Sequence, residues 1–244
     1  WRQKDGQVYY YDADGHMYFE VTENGTPLRK RRYVFSECFA VIAMSEYAIA
    51  SGDKTYAEKA LALFKRIQRF LSTPGFLEPK YLPTLQARGH SITMILINTA
   101  SRVRAAISDP TLDTQIDESL AAIRKYFIHP EFKALLEMVG KDGEFIDTCN
   151  GRVINPGHCI ETSWFILEEA RYRNWDKDLV QMALQILDWS WEWGWDEEHG
   201  GIINFRDCRN FPAQDYSQDM KFWWPQTEAI ICLLYTSDAA DEED

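Results

Sequence analysis

Asn155-Pro156-Gly157-His158-Cys159-Ile160-Glu161 is the stretch whose residue types and spacing can do chemistry. Asn155-Pro156-Gly157 is a breaker cluster, and Ile160, Trp164, Phe165, Ile166 and Leu167 follow it at helical spacing, so His158 is expected in the first turn of a helix. Unpaired N–H groups and the positive end of the helix dipole favour a neutral, basic imidazole there and attract any anion formed beside it. Glu161, one turn on at i+3, is placed to reach back and fix the ring's tautomer. A pinned base at the positive end of a helix suits removal of a proton next to a carbonyl. The competing reading is a histidine that merely caps its helix or packs as a polar residue.

Those residues need a frame, and 244 residues with 45% hydrophobic content can build a substantial core. Aromatic residues make up 14% of the chain, enough for core or for lining the site of a ring-shaped ligand such as a carbohydrate. A net charge of -12 disfavours nucleic acid and anionic membranes as partners. Cys38, Cys149, Cys159, Cys208 and Cys232 form no CxxC pair, which argues against a zinc site or a disulfide framework, and no metal is expected. Odd, scattered cysteines and the lack of a signal peptide or membrane-length apolar run fit a cytoplasmic location, although an upstream segment before Trp1 stays open.

Residues 7–21 alternate around Asp12-Ala13-Asp14-Gly15, a hairpin signature, and Asn24-Gly25 marks another tight turn. From Phe35 the period becomes helical. Helices are predicted over Phe35–Ala50, from the Asp53 cap to Leu71, Gly89–Ile107, Leu112–Phe127, Glu131–Val139, Gly157–Tyr172, Asp178–Trp193 and from Trp223 onward, with a short strand pair near Gly200-Gly201. Four of them, starting at Phe35, Gly89, Gly157 and Trp223, are apolar on most sides and open with polar residues. Those between carry one apolar stripe and a charged face. Inner helices alternating with outer ones suggest an α/α toroid whose inner N-termini converge on a pocket, against the alternative of an irregular bundle with local caps.

Phe35-Ser36-Glu37-Cys38-Phe39, Asn155-Pro156-Gly157-His158 with Glu161 and Trp164-Phe165, Gly194-Trp195-Asp196 with His199-Gly200-Gly201, and Met220 to Ala229 through Trp223-Trp224-Pro225-Gln226-Thr227-Glu228 occur in one order along the chain. Together they resemble the N-acylglucosamine 2-epimerase family. The resemblance implies an all-α fold, part of an (α/α)6 barrel of the six-hairpin glycosidase-like type with short β-hairpins in its loops, and an isomerase of carbohydrate metabolism that interconverts N-acetylglucosamine and N-acetylmannosamine. Its relatives include cellobiose and mannose 2-epimerases, aldose-ketose isomerases and, on the same fold, renin-binding proteins. His158 matches the first of the family's two histidines; Glu161, Trp223, Trp224 and Glu228 are carried over as substrate-binding residues.

Glu37, hard to bury without a partner, and His90, at the head of an inner helix, are weaker substrate-binding candidates. His90 has capping as an equal alternative. His199 is expected to shape a rim, and His16 and His129 to lie on the surface. A sugar is the expected partner, with no redox cofactor; a nucleotide as allosteric activator and a homodimer enter through the resemblance alone, and no GxxxxGK[ST] loop is present. The family's second histidine and an N-terminal arginine have no counterpart in this sequence. Residues 1–231 are therefore expected to be an incomplete epimerase domain without turnover as given. Residues 232–244 are expected to be a non-native tail, because Cys232 to Glu242 resembles a translated sequencing adapter. A glycoside hydrolase using Glu161 and Glu228 is the rival enzyme class.

Overall fold

The structure, a computed structural model, describes residues 2–4, 7–9, 15–30, 33–82 and 84–241. It divides into two units, one of residues 1–85 and 98–116, the other of residues 86–97 and 117–244.

In the first unit, strands β1 (Arg2–Lys4) and β2 (Gln7–Tyr9) pair antiparallel, with Arg2 opposite Tyr9. Strand β2 therefore turns back on the residues before it. The hairpin expected after it falls on Asp12, Ala13 and Asp14, which lie outside the described residues. The Asn24-Gly25 turn does join β3 (Glu20–Val21) to β4 (Pro27–Arg29), with Gly25 at φ 80°.

Helices α1 (Phe35–Ser51) and α2 (Lys54–Ser72) form an antiparallel pair. Gly52 ends α1 in the left-handed conformation at φ 73°, which costs a residue without Cβ nothing, and the Asp53 carboxylate then accepts from Thr55 N–H to start α2. One face of α2 buries Ala57, Ala60, Phe64, Ile67 and Phe70; the apolar stripe expected through Ala57, Leu61, Phe64, Ile67 and Leu71 is turned slightly from it, with Leu71 exposed.

Helix α3 (His90–Ala106) runs from the second unit to Ile97 and continues in the first from Asn98. Helix α4 (Pro110–Ala122) ends in a π-helical turn over Ile123–Phe127. The expected helix over Glu131–Val139 does not form. That stretch is a 3-10 turn (Pro130–Phe132) and two strands. Strand β5 (Ala87–Gly89) pairs with β8 (Met138–Gly140), and β6 (Ile128–His129) with β7 (Ala134–Leu135). Lys133 at φ 47° breaks the helical path, and Leu136, Met138 and Val139 are buried, leaving no polar face for an amphipathic helix. Strand β9 (Val153–Ile154) pairs with β10 (Arg206–Asp207).

Helix α5 (Pro156–Tyr172) is the centre of the second unit, packed against both α6 (Lys177–Gly194) and α7 (Trp223–Asp241). Its sequence is apolar on most sides because most sides are covered: Ile160, Phe165, Ile166, Leu167 and Ala170 are buried. Two approaches to α5 demand glycine. A Cβ on Gly157 would meet the Trp224 ring at 2.5 Å, and one on Gly194 would meet Pro156 Cβ at 2.4 Å. The expected strand pair near Gly200-Gly201 is reduced to one bridge, Trp195 to Ile202, around two left-handed glycines. Helix α7 runs on through the residues expected to be non-native, as far as Asp241.

Candidate active site

His158 stands in the first turn of α5. The Asn155 side chain accepts from its backbone N–H at 3.1 Å, and Pro156 occupies the first helical position, where no N–H is needed. Its ring lies against Trp224, with centroids 5.2 Å apart and planes tilted by 42°. Its Nδ1 is 2.8 Å from Glu137 Oε1. An imidazole that donates Nδ1–H to a carboxylate leaves Nε2 as the basic nitrogen. The described carboxylate bonded to the ring is thus Glu137, where Glu161 is expected from the sequence. The sequence gives no signal for Glu137, because its stretch reads as a helix and no local spacing links it to a histidine 21 residues away.

The backbone fixes Glu137 at both ends. Its N–H donates to Val153 C=O at 3.1 Å, and its C=O accepts from His90 N–H at 3.0 Å. Burial would push its carboxyl up. The positive charge that His158 carries when protonated, with its hydrogen bond and the nearby His90 ring, outweighs that and holds it well below the usual carboxylate range.

Glu161 sits on the same face of α5, among carboxylates. Burial, the larger effect, and the nearby Glu228 and Glu137 charges push it up to about 7, against the opposing pull of His158. Glu228 on α7 accepts from Trp164 Nε1–H at 2.7 Å; burial raises its pKa, while that hydrogen bond and His158 pull it down. His90 is fully buried, 3.1 Å from Thr162 Oγ1 through Nε2 and 3.6 Å from Glu137 Oε1 through Nδ1. His158, Glu137, His90, Glu161, Glu228, Trp164 and Trp224 therefore converge in the second unit, from α3, the β7–β8 link, α5 and α7.

The remaining candidates lie elsewhere. Trp223 is 88% exposed, its ring directed away from the cluster that holds its neighbour. Glu37 belongs to the first unit, fully buried, where Oε1 meets His16 Nδ1 at 2.6 Å and Met17 N–H at 2.5 Å. His16, expected on the surface, is 5% exposed because that carboxylate and the Phe70 and Phe76 rings enclose it. His129, also expected outside, is buried and bonded to Glu131 at 2.9 Å. His199 lies exposed in the turn between Trp195 and Ile202, near Asp196. Gln226 closes that turn onto α7: its amide accepts from Ile202 N–H at 2.8 Å and donates to Ile202 C=O at 2.9 Å.

Among the described residues, no group of three or more His, Cys, Asp or Glu side chains is arranged to hold a metal ion. Two surface cavities, of about 470 Å³ along one face of α6 and about 340 Å³ beside Trp193, Trp195 and Phe211, contain none of the clustered side chains. No helix among the described residues is long and apolar enough to cross a membrane.

The sequence profile of the N-acylglucosamine 2-epimerase (GlcNAc 2-epimerase) family matches residues 7–244. The chain belongs to this family. It is 31% identical over 219 residues to the N-acylglucosamine 2-epimerase of Bos taurus, covering 88% of this chain and 52% of that protein. Identity to the cellobiose 2-epimerase of Dictyoglomus turgidum is 23% over 236 residues, covering 89% and 57%. The chain spans about half the length of the curated relatives it matches. The structure of cellobiose 2-epimerase from Bacillus thermoamylovorans B4167 superposes with a TM-score of 0.74 at 17% identity, over 96% of this chain and 65% of that one. This likeness confirms the helical α/α-barrel class expected from the sequence.

Proposed function

We propose that this chain supplies one face of a site that inverts C2 of N-acetylglucosamine and N-acetylmannosamine, with His158 as the base on that face. In the ring-opened sugar the C1 aldehyde acidifies the C2 proton. His158 Nε2 takes that proton, the C2–H electron pair moves into C1–C2, and the carbonyl pair moves onto O1 to give an enolate that keeps the acetamido group on C2. Protonation of C2 from the opposite face yields the epimer. No redox step occurs, and none of the described groups is asked to change oxidation state.

The contact that carries this reading is Glu137 Oε1 to His158 Nδ1 at 2.8 Å, which fixes the tautomer and stabilises the imidazolium once it forms. Glu161, pushed up to about 7, keeps its proton in a substantial fraction of molecules at neutral pH and can donate it to the developing O1 anion. Trp224 offers an apolar face against which a sugar can stack. His158 and Glu161 share one helix face, so return of a proton to the other face of C2 requires a second acid across the sugar.

Greater identity to the N-acylglucosamine enzyme than to the cellobiose enzyme, 31% against 23%, supports the N-acyl substrate. Cellobiose and mannose epimerisation, or aldose-ketose isomerisation, is the second reading, favoured by the structural likeness to cellobiose 2-epimerase. Hydrolysis by Glu161 and Glu228 is the rival enzyme class, and release of the chromophore from a chromogenic glycoside would identify it.

The test is proton NMR of N-acetylmannosamine in deuterated water, following exchange at C2. Exchange catalysed by the protein should fall by about 100-fold or more in His158→Gln. Equal exchange by the variant would remove His158 from the mechanism, and exchange of mannose or cellobiose alone would transfer the reading to the second substrate class.

A further inference from the structure

One carboxylate oxygen, Glu137 Oε1, faces two imidazoles: His158 Nδ1 at 2.8 Å and His90 Nδ1 at 3.6 Å. His90 is held there from every side. It heads α3 directly after β5, its backbone N–H donates to Glu137 C=O at 3.0 Å, and its ring meets Phe127 edge-on at 5.4 Å. At the other end of the ring, Nε2 is 3.1 Å from Thr162 Oγ1, an atom also 2.7 Å from His158 C=O. A fully buried imidazole thus touches the proposed base along two routes, and nothing in the proton abstraction itself calls for it.

A carboxylate at 2.8 Å favours imidazolium, and a base already protonated cannot take the C2 proton. Among the described residues, the carboxylates that act on His158 include Glu137 from the β7–β8 link, Glu161 from its own helix and Glu228 from α7. Of these, Glu137 is hydrogen-bonded to the ring. His90 Nδ1 is buried without a hydrogen-bond partner, and Glu137 Oε1 lies just beyond hydrogen-bond range. At 3.6 Å the contact acts through charge.

The geometry points to His90 as a positioning residue for His158: an Nδ1–H on His90 shares the Glu137 carboxylate with His158 and so keeps His158 free of a second proton at neutral pH. In this arrangement His90 Nε2 accepts from the Thr162 hydroxyl. The single hydroxyl proton of Thr162 then has two acceptors, His90 Nε2 and His158 C=O, so the rings are linked at both ends. The assignment rests on His158 being the base, but its test needs no sugar.

In the wild-type chain, long-range nitrogen-proton NMR of the histidine rings should show the proton of His90 on Nδ1; a bare Nδ1 with the proton on Nε2 overturns the assignment. His90→Phe keeps a ring against Phe127 but removes the donor, and should raise the titration midpoint of His158 by roughly one pH unit. His90→Asn, whose Nδ2 can stand where Nδ1 stood, should hold the His158 midpoint within about 0.3 unit of wild type, and Glu137→Gln should lower it. A His158 midpoint that stays put or falls in His90→Phe also overturns the assignment, as does a His90→Asn variant that behaves like Phe. In kcat/KM for C2 exchange the acid limb of the pH profile should move up with His90→Phe. Loss of exchange in His158→Gln is judged separately, so failure of the ring titrations leaves the epimerase reading standing.

Discussion

Replacing Glu161 with Gln should make the protein more stable at alkaline pH and leave it almost unchanged in acid. The carboxyl is pushed up from 4.5 to about 7 by burial first and by the Glu228 and Glu137 charges second. Below pH 4.5 it is protonated in folded and unfolded chains alike, so it contributes no pH dependence. Between 4.5 and about 7 the unfolded chain loses this proton while the folded chain keeps it, and stability falls as pH rises. Above about 7 both forms are ionised and the full penalty stands. A shift of about 2.5 units at 1.36 kcal/mol each gives about 3 kcal/mol. Because Glu161 is only partly buried, water screens some of this and about 2 kcal/mol is the better expectation. Urea unfolding of wild type and Glu161→Gln at steps from pH 4 to 8.5, followed by tryptophan fluorescence, measures the difference directly. The gap should open between pH 5 and 7.5 in favour of Gln. A flat difference, or one that favours Glu at high pH, refutes the raised carboxyl and with it the acid role given to Glu161. The variant should also slow C2 exchange, since its amide cannot deliver a proton to O1.

Other outcomes follow from single contacts. Gly157→Ala would gain up to about 1 kcal/mol from helix propensity alone, but a Cβ 2.5 Å from the Trp224 ring should reverse the sign, costing roughly 1–3 kcal/mol and lowering Tm. A rise in Tm would mean that Trp224 is free to move. Trp164→Phe removes the Nε1–H that Glu228 accepts at 2.7 Å, so the Glu228 titration, followed by carboxyl carbon NMR, should move further up; a downward movement would show that the hydrogen bond does not hold Glu228 in its ionised form.

Local chemistry made much of this molecule legible before any coordinates. The Asp53 cap, the Gly52 stop and the 3-4 stripe of α2 are decided within one or two turns of chain, and so are the Asn155 cap and the place of His158 in the first turn of α5. Composition marked α5 as an interior helix, because a helix with no polar side must be covered on all sides. What the sequence could not supply was which side chains meet across large separations. Glu137 finds His158 and His90 only because β5 pairs with β8 and Val153 C=O holds the Glu137 N–H, contacts with no periodic trace. Buried on nearly every residue, the stretch from Ala134 to Gly140 shows neither period, so its sequence does not separate strand from helix. His16 looked like a surface residue because its partner, Glu37, lies 21 residues on, in another element. Adjacent in sequence, Trp223 and Trp224 part company for a simpler reason: consecutive residues on a helix point about 100° apart, and only tertiary packing chose which indole faces the histidine.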